Sequence, residues 1–318
     1  MKAAIVLGPN QGPVYGEFDD PAPGDGLTVV RVAASALSNA TRARATGGHY
    51  SMAGAFPLVP GIDGVGRTES GERVGFLLPE APFGGMAEKT LVRDALCVPV
   101  PDSLSDVLAA AIINPGQSPI GALRVRASLQ PGEGVLINGA TGTTGQVAVQ
   151  MAKILGAGRV VATGRDPGSL ARLRELGADD TVDLGGDPDA VQNALATHFG
   201  DGGVGVVLDY LSGPPTEVVL AAIARGHKGA GTVRYVIAGG AAGTSTSVPT
   251  SVLGSTSLVL MGSGIGAVRP PDIVRSVREA LEIAGSSGLR IDVTELPLAQ
   301  VEKAWVADYD RSRVVFTM

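Results

Sequence analysis

Several residue types are scarce in this sequence, and each scarcity narrows what the protein can be. Its 318 residues include one cysteine, Cys97, which excludes an internal disulfide and suits a reducing compartment. The formal net charge is −6 at pH 7, so we expect no broad attraction to nucleic acid or anionic lipid. No apolar run is long enough to span a bilayer and no apolar leader follows Met1, which predicts a cytoplasmic protein without membrane contact.

The sequence divides into two regions that differ in their hydrophobic pattern. Up to Pro101, β-branched runs such as MKAAIVL and LTVVRVAAS are separated by turn segments, which predicts a β-rich lobe. From Val135 onward, apolar strands alternate with helical segments, which predicts α/β structure with a doubly wound parallel sheet. The closing segment SRVVFTM is β-like again and is expected to return to the first lobe. We therefore predict boundaries at 1–112, 113–263 and 264–318.

A glycine-rich stretch joins the first of these later strands to a helix. Gly139, Gly142 and Gly145 lie at three-residue intervals in NGATGTTGQVAVQMAK, after an apolar run and before an amphipathic one. Small residues there allow a tight turn and let a pyrophosphate approach the backbone at the helix N-terminus. The frame departs from G-x-G-x-x-G, and a purely structural tight turn is the alternative. The predicted cofactor contacts are Gly139, Ala140, Thr141, Gly142, Thr143, Thr144 and Gly145.

The end of the next strand indicates which dinucleotide binds. An NAD site usually has a carboxylate there, whereas this strand ends in Thr163-Gly164-Arg165. A guanidinium can hold a 2′-phosphate through charge-assisted hydrogen bonds, and Arg172 or Arg174 could add to the field. The pattern favours NADPH. In the alternative, Arg165 is a solvated loop residue and Asp166 binds the ribose.

Motifs along nearly the whole chain resemble one family. They are VVRVAASALSNATRARATGGHY, FPLVPGIDGVGR, INPGQSPIGAL, the glycine stretch, VGVVLDYLSG and DRSRVVFTM. Together they resemble the zinc-independent medium-chain dehydrogenase/reductase superfamily, in its quinone oxidoreductase-like branch. The resemblance implies a GroES-like catalytic domain made of both chain ends, a Rossmann NADP-binding domain between them, and an active site in the cleft. It also implies hydride transfer from NADPH to a quinone or an α,β-unsaturated carbonyl, and a homodimer formed through SLVLMGS.

Metal ligands are not expected. Zinc-dependent members of the superfamily carry a Gly-His-Glu where this chain has Ile62 and Asp63. His49, His198 and His227 have no ligand spacing. The chemistry is therefore predicted to proceed without a Lewis acid.

The resemblance also suggests catalytic and further cofactor residues. Tyr50 could donate a hydrogen bond to the substrate oxygen as charge develops, although it could instead line the pocket while solvent supplies the proton. Asn39 is expected to face the nicotinamide, and Asp209 to be structural. The further cofactor contacts implied are Ser38, Asn114, Ser118, Tyr210, Leu211, Gly239, Gly240, Gly262, Ser263, Gly264 and Arg313.

Three functions remain open from the sequence. The first is an NADPH-dependent reductase of quinones or conjugated enones that acts on a small molecule. The second, on the same fold, is an enoyl or tailoring reductase of a biosynthetic pathway. The third is an NADPH-binding sensor that does not turn over. The substrate depends on pocket shape, which the sequence does not define.

Overall fold

The computed structural model describes residues 1–47, 56–229, 231–309 and 312–318. Within these ranges the chain forms two units, one of Met1–Gln117 with Val274–Met318 and the other of Ser118–Ile273. The strands are β1 Lys2–Ile5, β2 Val14–Glu17, β3 Leu27–Ala36, β4 Asp63–Thr68, β5 Arg73–Leu77, β6 Lys89–Arg93, β7 Cys97–Pro99, β8 Gly134–Asn138, β9 Arg159–Gly164, β10 Asp180–Asp183, β11 Val204–Asp209, β12 Val233–Ile237, β13 Leu258–Gly262, β14 Val293–Pro297 and β15 Arg313–Thr317. The helices are α1 Asn39–Ala45, α2 Asp106–Ile120, α3 Thr143–Ile154, α4 Pro167–Glu175, α5 Pro188–Ala196, α6 Pro214–Gly226, α7 Thr250–Ser255, α8 Pro270–Ser286 and α9 Val301–Val306.

The first unit is built on a β-sheet, as the turn-rich early sequence predicts. Seven strands pair in the order β14-β15-β3-β4-β5-β7, with β6 added to β3. All neighbours are antiparallel except β14 and β15. Because β15 pairs with β3, the C-terminal segment belongs to this unit. Alternate residues of β3 and its neighbours face a small apolar core around Phe76.

The second unit contains the parallel sheet that the alternating pattern predicts. Its six strands lie in the order β10-β9-β8-β11-β12-β13, and each pair that is consecutive in the chain is joined by one of the helices α3 to α7. The chain proceeds outward from β8 to one edge and then from β11 to the other. The strand order therefore reverses between β8 and β11, where Asn138 and Asp209 are in register. In such sheets ligands bind at the carboxyl ends of the strands beside this switch point.

Both faces of the second sheet are covered. Along β8, Val135 and Ile137 pack with residues of α3 and α4, whereas Leu136 packs on the other face with residues of α5, α6 and α7. Covering on both faces explains why the strand reads as a continuous apolar run. The predicted fold class, a doubly wound parallel sheet plus a β-rich domain, is confirmed.

The divisions between the units fall inside helices. The chain passes from the first unit to the second within α2 and returns within α8, whereas the sequence prediction placed divisions at 112/113 and 263/264. After Ile120, α2 continues as a π-helical turn over Gly121–Arg126. None of the helices in the described ranges combines the length and apolarity needed to cross a membrane.

Candidate nucleotide-binding site

The turn after β8 is the centre of the candidate site. Gly139 has a φ of +82°, a conformation that L side chains rarely adopt. A Cβ on Gly139 would also lie 2.7 Å from the side chain of Leu211. The N–H of Gly139 donates to Thr163 Oγ1 at 3.0 Å, and that of Ala140 donates to the Thr163 carbonyl at 2.8 Å. The turn is therefore fixed to the end of β9.

The next two glycines serve different purposes. Gly142 is the N-cap residue of α3, and a Cβ placed on it would meet no atom within 4 Å. By contrast, a Cβ on Gly145 would lie 2.5 Å from the Cα of Ala140, so Gly145 allows close packing of the helix on the turn. The first N–H groups of a helix have no partner within it and favour an anion. Open space at a glycine beside a helix N-terminus therefore fits the pyrophosphate of a dinucleotide.

A buried hydrogen-bond network at the ends of the strands holds the turn after β8 in place. Asp209 at the end of β11 accepts from Asn138 Nδ2 at 3.1 Å, Thr216 Oγ1 at 2.5 Å and the Tyr235 hydroxyl at 2.6 Å. The Thr163 hydroxyl donates to Asn138 Oδ1 at 2.8 Å. Burial and the adjacent Asp209 carboxylate raise the pKa of Tyr235, so the phenol stays protonated and donates. This geometry agrees with the structural role predicted for Asp209, and it also engages the hydroxyl of Thr163.

The end of β9 presents one cationic side chain. Arg165 is exposed, and its side chain has no hydrogen bond or ion pair with the rest of the described chain. The neighbouring Asp166 caps α4, because its Oδ2 accepts from the Ser169 N–H at 2.7 Å and from the Ser169 hydroxyl at 2.5 Å. Gly164 is buried, and a Cβ there would collide with the side chain of Thr141. The arrangement leaves Arg165, more than Asp166, available for a ribose substituent.

A second arginine reaches the glycine turn indirectly. Arg172 on α4 donates from Nε to Gln146 Oε1 at 3.3 Å, and Gln146 Nε2 donates to the Thr141 carbonyl at 3.0 Å. The guanidinium of Arg172 therefore adds positive charge near the start of α3.

The other predicted contacts of this unit follow the remaining strands at the same edge. Ser118 Oγ and the Tyr210 hydroxyl lie 3.3 Å apart, and burial raises the pKa of Tyr210, which keeps the phenol neutral. A Cβ on Gly239 would lie 2.7 Å from the Tyr210 carbonyl, so these two chain segments approach closely. The residues after β11, β12 and β13 are Tyr210, Leu211, Gly239, Gly240, Ser263 and Gly264, with Gly262 ending β13.

The predicted residues of the first unit are only partly described. Ser38 is the N-cap of α1, and its Oγ accepts from the Thr41 N–H at 2.9 Å. Asn39 is the first residue of that helix and is exposed. Tyr50, the predicted proton donor, lies outside the described residues, as does His49.

The first unit buries two opposite charges, Asp63 and Arg313, whose interaction the sequence did not predict. Arg313 is the residue that the family resemblance suggests as a cofactor contact. Asp63 is 0% exposed and Arg313 is 6% exposed, yet both Asp63 oxygens and two Arg313 nitrogens, Nε and Nη2, lack hydrogen-bond partners. Burial raises the pKa of Asp63 to about 7, against the opposing effects of Arg313 and of the nearby Asn114 backbone. The signal available in the sequence was a charged residue beginning each of two strand-like segments, GIDGVG and SRVVF.

Possible metal ligands are scattered over the described part of the chain. In residues 1–47, 56–229, 231–309 and 312–318, no three His, Cys, Asp or Glu side chains come together as ligands. Burial raises the pKa of the Cys97 thiol to about 11.

Comparison with known proteins agrees with the nucleotide-binding geometry. The family model described as zinc-binding dehydrogenase matches residues 143–284, which start at α3 and cover most of the second unit. A probable NADPH-dependent quinone reductase, tdiC, of Emericella nidulans is 28% identical, with 99% of each chain covered. The acrylyl-CoA reductase AcuI of Ruegeria pomeroyi is 31% identical over 68% of this chain and 66% of its own length.

A solved structure extends the similarity to the whole chain. The quinone oxidoreductase of Thermus thermophilus, which was also solved in complex with NADPH, has a TM-score of 0.82 and 29% identity, with 100% of both chains covered. Its sequence identity and coverage are close to those of tdiC. The chain belongs to the medium-chain dehydrogenase/reductase superfamily, in the zinc-independent, quinone oxidoreductase-like branch.

Proposed function

We propose that this protein is an NADPH-dependent reductase of a quinone or an α,β-unsaturated carbonyl compound. The observation that carries the proposal is the glycine turn at the switch point, with open space at Gly142 and an unpartnered Arg165 beside it. The relatives named NADPH-dependent quinone reductase, acrylyl-CoA reductase and prostaglandin reductase support the class of acceptor.

The residues of the second unit have separate roles in this proposal. When bound, NADPH supplies a hydride, that is, two electrons and one proton. Gly142 leaves room for the pyrophosphate at the N-terminus of α3, and Arg165 meets the 2′-phosphate through charge-assisted hydrogen bonds. The network around Asp209 holds the ends of β8, β9, β11 and β12 in fixed positions. Together these groups bind and orient the cofactor.

Reduction by a hydride also needs a proton, for which we propose Tyr50 as the source, with Asn39 positioning the nicotinamide. Replacing the Tyr50 hydroxyl in Tyr50→Phe should keep NADPH binding and lower kcat by about 10²–10⁴-fold, the usual contribution of a positioned general acid. A loss of less than about threefold would indicate that solvent is the donor and that Tyr50 lines the pocket.

We further propose a cytoplasmic homodimer formed through β13. This strand ends the parallel sheet, pairs on one side with β12, and leaves Val259 44% exposed. An exposed apolar edge strand favours pairing with a second copy. Sedimentation of the purified protein should give twice the mass of one chain, and Val259→Lys should yield monomers. Cell fractionation tests the location.

The decisive experiment measures NADPH oxidation by its near-ultraviolet absorbance with a panel of quinones and conjugated enones. We expect turnover with at least one acceptor, no oxidation without an acceptor, and no turnover in Gly142→Val. NADPH binding without oxidation of any acceptor would favour the sensor function.

A further inference from the structure

The side chain of Gln146, in the first turn of α3, joins two parts of the candidate site. Its Nε2 donates to the Thr141 carbonyl at 3.0 Å, and its Oε1 accepts from Nε of Arg172 at 3.3 Å. A carbonyl oxygen only accepts, so the bond to Thr141 fixes which end of the amide faces Arg172. The glycine turn therefore sets the orientation of Gln146, and Gln146 presents an acceptor to Arg172.

This link requires the chemistry of a glutamine. A glutamate at position 146 could accept from Arg172 but could not donate to the Thr141 carbonyl, whereas a lysine could donate but could not accept. Asparagine carries both groups but is one methylene shorter. A solvated glutamine on a helix surface needs neither bond, while the half-buried Gln146 makes both. The residue type at position 146 is thus matched to the position of Arg172.

The link keeps the guanidinium of Arg172 near the carboxyl edge of the parallel sheet. Both α3 and α4 follow directly on strands and begin at this edge, and helix side chains tilt toward the N-terminus of their helix. Arg172 lies in the last turn of α4, yet its side chain reaches Gln146 in the first turn of α3. Its charge is therefore held beside the start of α3 rather than at the far end of α4.

The same edge contains the end of β9, where the adenosine ribose of a dinucleotide lies. Thr141, which accepts from Gln146, packs its side chain on the backbone of Gly164, because a Cβ on Gly164 would collide with Thr141 Cγ2. Arg165 follows directly and is exposed. A chain of contacts thus runs from Arg172 through Gln146 and Thr141 to the residue before Arg165.

Arg174 is a second cation of α4, and its position differs from that of Arg172. It is exposed, and two positions along a helix correspond to about 200° of rotation, so it lies on nearly the opposite side of α4. A cation that is already held in place has an advantage over a mobile one, because ordering a long side chain on binding lowers affinity by about 2–10-fold. The geometry therefore favours Arg172 over Arg174 as a ligand for a phosphate.

We infer that Gln146 is a positioning residue for cofactor choice: it holds the guanidinium of Arg172 beside the end of β9, where Arg172 and Arg165 bind the 2′-phosphate of NADPH. This rests on the proposed function and deepens it, because it assigns the preference for NADPH to a held cation as well as to the exposed Arg165. A phosphate accepts several charge-assisted hydrogen bonds at once, and the planar guanidinium matches its geometry.

The first test uses two ligands that differ in the 2′-phosphate alone, 2′,5′-ADP and 5′-AMP. Neither contains nicotinamide, so calorimetry on the full chain measures binding without turnover. The preference is the ratio of the 5′-AMP to the 2′,5′-ADP dissociation constant, and it should exceed one in the wild type. Arg172→Met should lower it about 10–100-fold, the contribution of a charge-assisted hydrogen bond, and Gln146→Met about 2–10-fold. Arg174→Met is the matched control and should leave it unchanged.

The second test asks whether Gln146 acts through Arg172. In the Arg172→Met background, Gln146→Met should cause no further loss of preference, because no guanidinium is left to hold. A loss that persists in the double variant would show that Gln146 acts independently and would overturn the inference. A purely structural Gln146 would weaken both ligands equally and leave the preference unchanged, which also overturns it. Equal losses in Arg172→Met and Arg174→Met would replace the held guanidinium by a general positive field.

These measurements are independent of reduction. If the preference for 2′,5′-ADP depends on Gln146 and Arg172 but no quinone or enone is reduced, the inference stands and the reductase function is wrong. If acceptors are reduced with NADPH while both variants keep the full preference, the reductase function stands and the inference is wrong. A wild type that binds 2′,5′-ADP and 5′-AMP equally overturns the inference.

Discussion

Among the residues that the structure describes, each unit buries one aspartate completely, and the two aspartates have opposite surroundings. Asp209 in the second unit accepts hydrogen bonds from the side chains of Asn138, Thr216 and Tyr235, at 2.5 to 3.1 Å. Asp63 in the first unit accepts none from a side chain, and only the charge of Arg313 and the backbone of Asn114 lie near it. The comparison shows that a buried carboxylate stabilises the fold only when hydrogen bonds compensate for its burial. A satisfied carboxylate stabilises its unit, whereas an unsatisfied one retains a proton and makes stability depend on pH.

The same contrast holds for the positive charges. In the second unit, Arg165 lies in solvent, where lacking a partner costs little. In the first unit, Arg313 is buried, and its Nε and Nη2 lack hydrogen-bond partners. Arg44 is half-buried and has no partner among the described residues. Among the described residues, the buried side-chain atoms without a hydrogen-bond partner therefore lie mostly in the first unit, and His198 Nδ1 is the exception in the second.

The largest effect should come from breaking the satisfied carboxylate. Asp209→Ala leaves the hydroxyls of Thr216 and Tyr235 and the amide of Asn138 without their acceptor, and each unsatisfied buried group costs about 1–3 kcal/mol. We expect the free energy of unfolding to fall by about 5 kcal/mol, as measured by urea denaturation. Asp201→Ala, at an exposed position, is the control and should change it by less than about 0.5 kcal/mol. Equal losses in the two variants would contradict the structural role of Asp209.

The unsatisfied carboxylate should instead be visible in the pH dependence of stability. The pKa of Asp63 is about 7 when folded, above its ordinary value of 3.8, so the folded protein binds the extra proton between these values. Its contribution to the free energy of unfolding is therefore fully present below about pH 4 and is lost as pH rises to about 7, at about 1.4 kcal/mol per pH unit. The whole change amounts to about 4 kcal/mol.

Asp63→Asn cannot titrate and isolates this effect. Subtracting its stability curve from that of the wild type, from about pH 4 to about pH 8, removes the contributions of surface carboxylates that both proteins share. The difference should decline up to about pH 7 and then level off. Parallel curves over the whole range would show that Asp63 is ionised throughout.

Gly142, in the open turn of the second unit, should tolerate a larger side chain, but the variant should lose NADPH binding. Gly142→Val has space in the protein, so the free energy of unfolding should change by no more than about 1 kcal/mol, the cost of a poorer N-cap. The dissociation constant of NADPH should rise more than about 100-fold, because the new side chain fills the space for the pyrophosphate. Gly254→Val, also in open space but within α7, is the matched control for binding. Unchanged NADPH affinity in Gly142→Val would refute the site.

The exposed, unpaired arginine should give the smallest effect, confined to cofactor choice. Arg165→Ala should weaken NADPH by about 10–100-fold and NADH little, and the wild-type preference for NADPH should shrink as salt rises. Asp166→Ala removes the cap of α4, so it should cost about 1 kcal/mol of stability and leave the preference intact. A wild type that prefers NADH, with the preference lost in Asp166→Ala, would reverse the assignment of the two residues.

Local patterns in the sequence predict much of the second unit. The parallel sheet, the turn after β8 and the roles of Gly139 and Gly145 follow from residues close together in the chain, because strand, turn and helix signals are local. The order of the strands agrees with the predicted doubly wound sheet. Thr163 shows the limit of this reasoning, since its position at the strand end predicts a cofactor contact while its hydroxyl bonds inward to Asn138.

The first unit depends on contacts that the sequence does not reveal. Asp63 and Arg313 are far apart in the 318-residue chain, and β3 lies between their strands in the sheet. Neither their proximity nor their lack of hydrogen bonds can be inferred from composition or periodicity. Unsatisfied charges are a property of the packed structure, whereas glycine spacing is a property of the chain.

The passage of the chain between units inside α2 and α8 bears on how relatives could be recombined. A chimera joined at residue 112 would place its junction in the middle of α2, where helical residues of one parent must continue the buried face set by the other. Junctions in the loops before Asp106 and before Pro270 would instead transfer each of these helices intact. The unit exchanged as one module would then be the parallel sheet together with α2 and its π-helical extension, ending ahead of α8.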